Sequence, residues 1–282
     1  MTVPPSYSDL GKSAKEIFSK GCGFGVLRLD VKTKPLIGLE LKGSASCHPD
    51  TSTGDMIVEM KCKWSSYEVA FTEKLNADKT IGAEITVKDN IAKGLKIAFD
   101  TAFSLSTGMK RGKVKTAYEC DCINIRCDVD LGFHVTAVHG AAVVGYNGWL
   151  AGCQMTFDTA KSKVAQTNFA VGYESGDFQL HANVKNGSEF GGSIYQKVAD
   201  NLETAVSLLW TAGSISTRFG VAAKYQLDSN TSINAKVNNE GLVGLDYSQT
   251  LQPGVKLNFS ALIDGKSISG GHRLGLGLEL GA

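Results

Sequence analysis

Few of the 282 residues combine the type and spacing that catalysis or metal binding requires. Gly11-Lys12-Ser13 and Gly265-Lys266-Ser267 each resemble the end of a phosphate-binding loop. The upstream glycine of such a loop, which lets the backbone wrap a phosphate, is replaced by Ser6 in one and Ser260 in the other. Gly21-Cys22-Gly23-Phe24-Gly25-Val26 lacks the third glycine of a dinucleotide loop and leads into a strand pattern, not a helix. Cys120, Cys122 and Cys127 do not have zinc-ligand spacing, and the 5 histidines are dispersed without a nucleophile partner. No enzymatic activity, metal or required cofactor is therefore expected. A net charge of +1 offers no basic field for nucleic acid as a specific ligand.

One carboxylate stands out. In a strand, Glu73 shares its face with Tyr67, Val69, Phe71 and Leu75, an otherwise apolar set. If that face meets lipid, desolvation works against the charged form. The alternatives are a tolerated acid at an interface rim or a slip in register.

Alternation places these residues. Val255, Leu257, Phe259, Ala261 and Ile263 oppose Lys256, Asn258, Ser260, Leu262 and Asp264. Leu274, Leu276, Leu278 and Leu280 oppose Arg273, Gly275, Gly277 and Glu279. Similar segments recur from Leu27 onward, and the stretch from Gly132 to Gly145 alternates least clearly. Turn signals punctuate them at Asn76-Ala77-Asp78, Ser175-Gly176-Asp177, Asn186-Gly187, Asp228-Ser229-Asn230, Asn238-Asn239 and Pro253-Gly254. The pattern gives roughly eighteen to nineteen strands of about 8–10 residues, a length suited to tilted membrane strands. A soluble β protein also alternates. However, consecutive short hairpins without a domain break favour one closed meander, and a barrel of about 16–18 strands or more leaves an aqueous channel. Two parts are expected: residues 1–25, an amphipathic helix and glycine-rich joint, and residues 26–282, the barrel.

There is no apolar run of about 18 residues, so no membrane-spanning helix is expected, and the opening residues read as neither a secretory signal nor a transit peptide. The 7 cysteines then read as thiols. Residues 6–20 break the period of two. Leu10, Ala14, Ile17 and Phe18 form a helical stripe with Lys12, Lys15, Glu16 and Lys20 off it, and Ser6 or Ser8 can cap the helix. Gly21, Gly23 and Gly25 form a hinge into the first strand. The polar strand faces interleave bases such as Lys113, Lys115, Arg126, Lys224, Lys236 and Lys256 with acids such as Glu84, Asp100, Asp128, Asp130 and Glu203. Such a lumen predicts weak anion preference, not a sharp filter.

Several segments in order resemble the voltage-dependent anion channels of the mitochondrial outer membrane, the eukaryotic porins. They are Val3-Pro4-Pro5-Ser6-Tyr7-Ser8-Asp9-Leu10-Gly11-Lys12, Gly148-Trp149-Leu150-Ala151-Gly152, Glu189-Phe190-Gly191-Gly192-Ser193-Ile194-Tyr195-Gln196-Lys197, Trp210-Thr211-Ala212-Gly213, Lys236-Val237-Asn238-Asn239, Leu262-Ile263-Asp264-Gly265-Lys266 and Gly270-Gly271-His272. The resemblance covers essentially the whole chain. It implies an all-β, 19-stranded transmembrane β-barrel with the helix inside the pore; that strand number is the family's own. An odd number makes the first strand, about residues 26–34, parallel to the last, about 273–281. The resemblance also implies a voltage-gated, weakly anion-selective channel that passes ATP, ADP and small metabolites across the mitochondrial outer membrane. By the same resemblance, Lys12 and Lys20 contact nucleotide, and Leu242, Val243, Gly244, Ser260, Ala261, Leu262, Ile263 and Asp264 form a luminal strip for NAD(H). ATP and NAD(H) would be weak lumen ligands. Glu73 matches a membrane-facing acid linked to lipid contact and hexokinase docking. Apoptosis regulators and further copies of the chain are the other implied partners. A protein-import channel on a related barrel and a non-enzymatic binding barrel are the alternatives. Cys22, Glu68, Leu75, Asn147 and Asp246 depart from the family pattern, as does the segment from Leu131 to His139.

Overall fold

A computed structural model describes residues 3–21, 23–33, 38–49, 53–64, 68–90, 92–132, 137–214, 217–267 and 270–281. The first half of the wall comprises β1 (Leu27–Lys32), β2 (Leu39–His48), β3 (Thr53–Trp64), β4 (Val69–Asn76), β5 (Thr80–Lys88), β6 (Leu95–Ser104), β7 (Lys110–Glu119), β8 (Ile123–Leu131), β9 (Ala137–Tyr146) and β10 (Trp149–Asp158). The second comprises β11 (Lys163–Ser175), β12 (Phe178–Lys185), β13 (Glu189–Ala199), β14 (Leu202–Thr211), β15 (Thr217–Asp228), β16 (Thr231–Asn238), β17 (Leu242–Gln252), β18 (Val255–Asp264) and β19 (Arg273–Gly281). All form one 19-stranded sheet in which each strand pairs with its sequence neighbours. The sheet closes where β1 pairs in parallel with β19, from Leu27 opposite Leu276 to Lys32 opposite Gly281. Closure leaves no free edge, as a bilayer requires of a spanning sheet.

The hairpins follow from local chemistry. Asn147-Gly148 and Asn186-Gly187 both have positive φ at the two central positions, the mirror-image turn that matches strand twist. Asn147, a departure from the family pattern, is thus a residue that tolerates this conformation. Glu68 is another departure from the family pattern. It occupies the turn before β4, with φ of 50°.

Alternation assigns the two faces. Leu27, Leu29, Val171, Leu180, Phe219, Phe259 and Leu276 are exposed on the outer wall, which is the apolar one. Aromatic pairs mark both rims: Trp149 with Tyr173, centroids 5.0 Å apart, and Phe190 with Trp210, 5.1 Å apart. Apolar wall and aromatic girdles together describe a barrel that spans a membrane. Arginine in place of Val171, mid-strand on the lipid face, is expected to cost about 2–4 kcal/mol. Arginine in place of lumen-facing Gln179 should cost much less. Denaturant unfolding of the two variants in liposomes checks this.

The N-terminal segment lies inside, against the wall. The expected continuous helix over 6–20 is divided. A 3-10 turn spans Tyr7–Asp9, Gly11 follows with φ of 70°, and α1 spans Lys12–Ser19. Neither Ser6 nor Ser8 caps α1; its N-cap is Gly11, without a side-chain hydrogen bond. The expected stripe does turn to the wall: Ala14 and Ile17 are buried against Ala205 and Ala222, with Phe18 and Tyr195 alongside. Cys22 lies outside the described residues, as does Tyr67, expected beside Glu73.

Candidate functional site: the lumen wall and its N-terminal segment

Lumen-facing side chains form a wall of short-range ion pairs. Lys115 Nζ lies 3.2 Å from Glu84 and 3.0 Å from Asp100. Lys113 Nζ lies 3.4 Å from Asp128 and 3.3 Å from Asp130, and Asp130 is 2.9 Å from His139. Lys224 is 3.4 Å from Glu203. Each base belongs to one strand and its acids to the next strand or, for Glu84, the next but one, so the barrel register itself neutralises much of the wall. Partly exposed pairs of this kind contribute little stability. Their effect is on the field in the lumen, where paired charges give weak selectivity.

The N-terminal segment is attached to this wall by two means. The first is polar. Asn124 donates to the Pro4 carbonyl at 3.0 Å, Asn234 to the Ile17 carbonyl at 2.7 Å, and Lys236 Nζ to the Phe18 carbonyl at 2.8 Å. The last two engage carbonyls near the C-terminal end of α1, which helix geometry leaves without partners. Lys236 also sits 4.5 Å above the Phe24 ring. The second is steric. A Cβ at Gly152 would lie 3.0 Å from Tyr7, 3.1 Å from Leu10 and 3.2 Å from Val143. A Cβ at Gly220 would lie 3.1 Å from Phe18. No motif marks these residues; glycine at the lumen-facing positions of strands is the signal of close approach that identifies them.

Asp9 is tuned by its own turn. The Ser6 hydroxyl donates to its carboxylate at 2.5 Å, and Lys12 Nζ stands 3.4 Å away. The Ser6 bond foremost, then Lys12, holds the Asp9 carboxyl below the ordinary carboxylate range. A depressed folded-state value stabilises the turn above that range and is lost as pH falls through the lower value. Acidification should therefore loosen residues 6–12, and Asp9→Asn should remove that pH dependence. Amide exchange of the N-terminal segment across an acid titration checks both.

Lys20 projects into a luminal recess of about 470 Å³ that it shares with Lys224 and Lys256. Glu16, Glu203, Asp246 and Glu279 line the same recess. Lys12 is not part of it and pairs with Asp9 instead. The structure therefore separates the two lysines by the length of α1.

The expected nucleotide strip divides between the faces. β17 and β18 bring its residues side by side, with Leu242 opposite Asp264, Val243 opposite Ile263, Gly244 opposite Leu262 and Asp246 opposite Ser260. Strand parity turns Leu242, Gly244, Ser260, Leu262 and Asp264 to the lumen, and Val243, Ala261 and Ile263 to the outer wall. Gly244 lies under Phe24, whose ring would be 2.7 Å from a Cβ there, and Ser260 is buried near Gly23. Asp246 is buried under Gly21. The hinge glycines differ: Gly21 and Gly25 have φ of 85° and 71°, while no positive φ marks Gly23. Glu73 is exposed on the outer wall with Leu75, in register with Met60 and Ala83.

A family model described as eukaryotic porin matches residues 3–275. The chain is 64% identical over 283 residues to a protein of Meleagris gallopavo named non-selective voltage-gated ion channel VDAC2, covering 100% of this chain and 96% of that one. It is 62% identical to the protein of the same name from Xenopus laevis, covering 99% and 100%, and 59% identical to that from Homo sapiens, covering 100% and 96%. A closed barrel, a charge-lined lumen with its own N-terminal segment against the wall, and a match along nearly the whole chain leave one assignment: the chain belongs to the eukaryotic porins.

Proposed function

We propose that this protein is a voltage-gated, weakly anion-selective channel that passes ATP, ADP, small metabolites and ions across the mitochondrial outer membrane. The observation that carries the reading is a charged segment docked inside the lumen against the wall, outside the sheet's own strand pairing. That segment carries Lys12, Lys15 and Lys20 against Asp9 and Glu16, a net charge of +1 (3 − 2). Charge that moves across the membrane field couples conformation to voltage, by about 2.3 kcal/mol per elementary charge per 100 mV. Relatives named as voltage-gated ion channels support the same reading.

ATP and ADP would meet the recess of Lys20, Lys224 and Lys256, where phosphate would compete with Glu16 and Glu203 for the lysines they pair with. Lys12 would offer a second, separate contact. NAD(H) would contact the luminal members of the β17–β18 strip, where Phe24 and Gly23 already cover Gly244 and Ser260. Glu73 on the outer wall supports lipid contact and a part in hexokinase docking. Apoptosis regulators and self-association rest on the family resemblance. Proteoliposomes loaded with ATP test the main reading. Release of ATP with retention of a small folded protein is expected; retention of ATP by a folded, inserted barrel would contradict it.

A further inference from the structure

The hairpin of β5 and β6 sets two like charges face to face at the mouth of the pore. Lys88, the last residue of β5, stands directly opposite Lys96, near the start of β6. Strand parity turns both inward, with Glu84 and Thr86 on β5 and Ala98 and Asp100 on β6, while Val87, Leu95 and Ile97 face the lipid. Directly opposed residues of an antiparallel pair have Cβ atoms about 4.5–5.5 Å apart, and like charges there are destabilising. Lys93 adds a third ammonium from the connection between the two strands. All three lysines are exposed.

The acids nearby leave this charge largely uncompensated. Asp89 accepts the Gly94 N–H at 2.6 Å with one carboxylate oxygen, and its other oxygen is 3.9 Å from Lys88 Nζ. Glu84 and Asp100, deeper in the lumen, pair with Lys115, and Glu119 on β7 lies 3.9 Å from Arg126. Glu68 meets Lys88 through its backbone carbonyl, 3.2 Å from the Lys88 nitrogen. Among the described residues, no acid pairs with Lys93 or Lys96. Beside Lys96 the inward neighbours are small, Ala98 on its own strand and Ala117 opposite it on β7, so long flexible stems have room to bring their heads together. We propose that Lys88 and Lys96, aided by Lys93, clamp a phosphate group of a small soluble metabolite at this mouth. A multiply charged phosphate shared by two ammonium groups turns their mutual repulsion into two attractions. Chloride, with one charge, offsets only one lysine. Because the pair faces water, its occupant comes from solution rather than from the bilayer. The Lys20 recess is lined by β13 to β19, so the clamp is a separate site. It rests on the channel reading only in needing a water-filled lumen.

Amide NMR of the isotope-labelled full chain in lipid nanodiscs, titrated with inorganic pyrophosphate at constant ionic strength, tests the proposal. The amides of Lys88, Gly94 and Lys96 should shift and saturate, and chloride should not reproduce the shifts. Lys88→Gln with Lys96→Gln should weaken that saturation at least about tenfold, while shifts around Lys20 persist. Lys88→Glu should also abolish it. By setting opposite charges in register, the same substitution should slow amide exchange in the hairpin, which separates loss of charge from loss of structure. Hairpin amides that stay still while those around Lys20 move would overturn the proposal. So would equal shifts with chloride, undiminished saturation in the double variant, faster hairpin exchange in Lys88→Glu, or saturation by an acidic peptide but not by pyrophosphate. Saturation in a folded barrel that passes no ATP would support the clamp and count against the metabolite channel alone.

Discussion

Replacement of Gly152 by valine is expected to unseat the N-terminal segment while leaving the barrel closed. The first added carbon already stands 3.0 Å from Tyr7, 3.1 Å from Leu10 and 3.2 Å from Val143, and valine adds two more. Three neighbours on two elements must give way together. Overpacking of this kind costs typically about 1–3 kcal/mol. The barrel's strand pairing does not pass through those contacts, so the cost falls on docking. A penalty of about 1.4 kcal/mol changes the docked-to-free ratio tenfold. The variant should therefore release its first residues to trypsin faster than wild type and close at smaller voltages of either sign. Gly140→Val is the matched control, because a Cβ there meets nothing within 4 Å. It should behave as wild type in both assays.

The second large effect is expected from charge reversal in the Lys20 recess. Lys20, Lys224 and Lys256 each swing two charges when replaced by glutamate, and the recess already contains Glu16, Glu203, Asp246 and Glu279. A mild anion preference should become a cation preference, read as a change of sign in the reversal potential under a KCl gradient. Each lysine–phosphate contact is worth about 1 kcal/mol at 4 Å even at the dielectric constant of water. Loss of all three attractions should weaken the reduction of current by ATP at least about tenfold. The corresponding glutamine variants should give half-way reversal potentials. Equal changes in the glutamine and glutamate sets would mean that side-chain shape, not charge, governs the recess.

The barrel was legible wherever one face of a strand is uniformly apolar. β18 and β19 alternate without exception on their outer faces, and the structure places both strands where alternation did. The stretch from Gly132 to Gly145 resisted reading for a physical reason. The inner face of β9 carries Ala137, Ala141, Val143 and Gly145 beside a single polar residue, His139, because that part of the wall seats the N-terminal segment. Val143 is fully buried there. Apart from His139, both faces are then apolar or small, and period two loses its contrast.

The contacts that hold the segment were not legible at all. Asn124 and Pro4 are 120 residues apart, and Asn234 and Ile17 are 217 apart. Only closure of the barrel brings them together. The helix stripe was visible, but its division at Gly11 was not, because the left-handed backbone there is a local choice that glycine permits and does not compel. The family resemblance assigns whole runs, 242–244 and 260–264, to the nucleotide strip. Strand parity, applied to the same residues, sends Val243, Ala261 and Ile263 outward, and the seating of Phe24 on Gly244 arises only from the fold that brings the N-terminal joint against β17.

Single-channel current in a planar bilayer under a KCl gradient, stepped to both polarities, bears on the whole reading. A large conductance with mild anion preference is expected near zero voltage, giving way at either polarity to a lower state that favours cations. A steady pore with no voltage-dependent closure, or a folded barrel that inserts and carries no current, would contradict a gated metabolite channel.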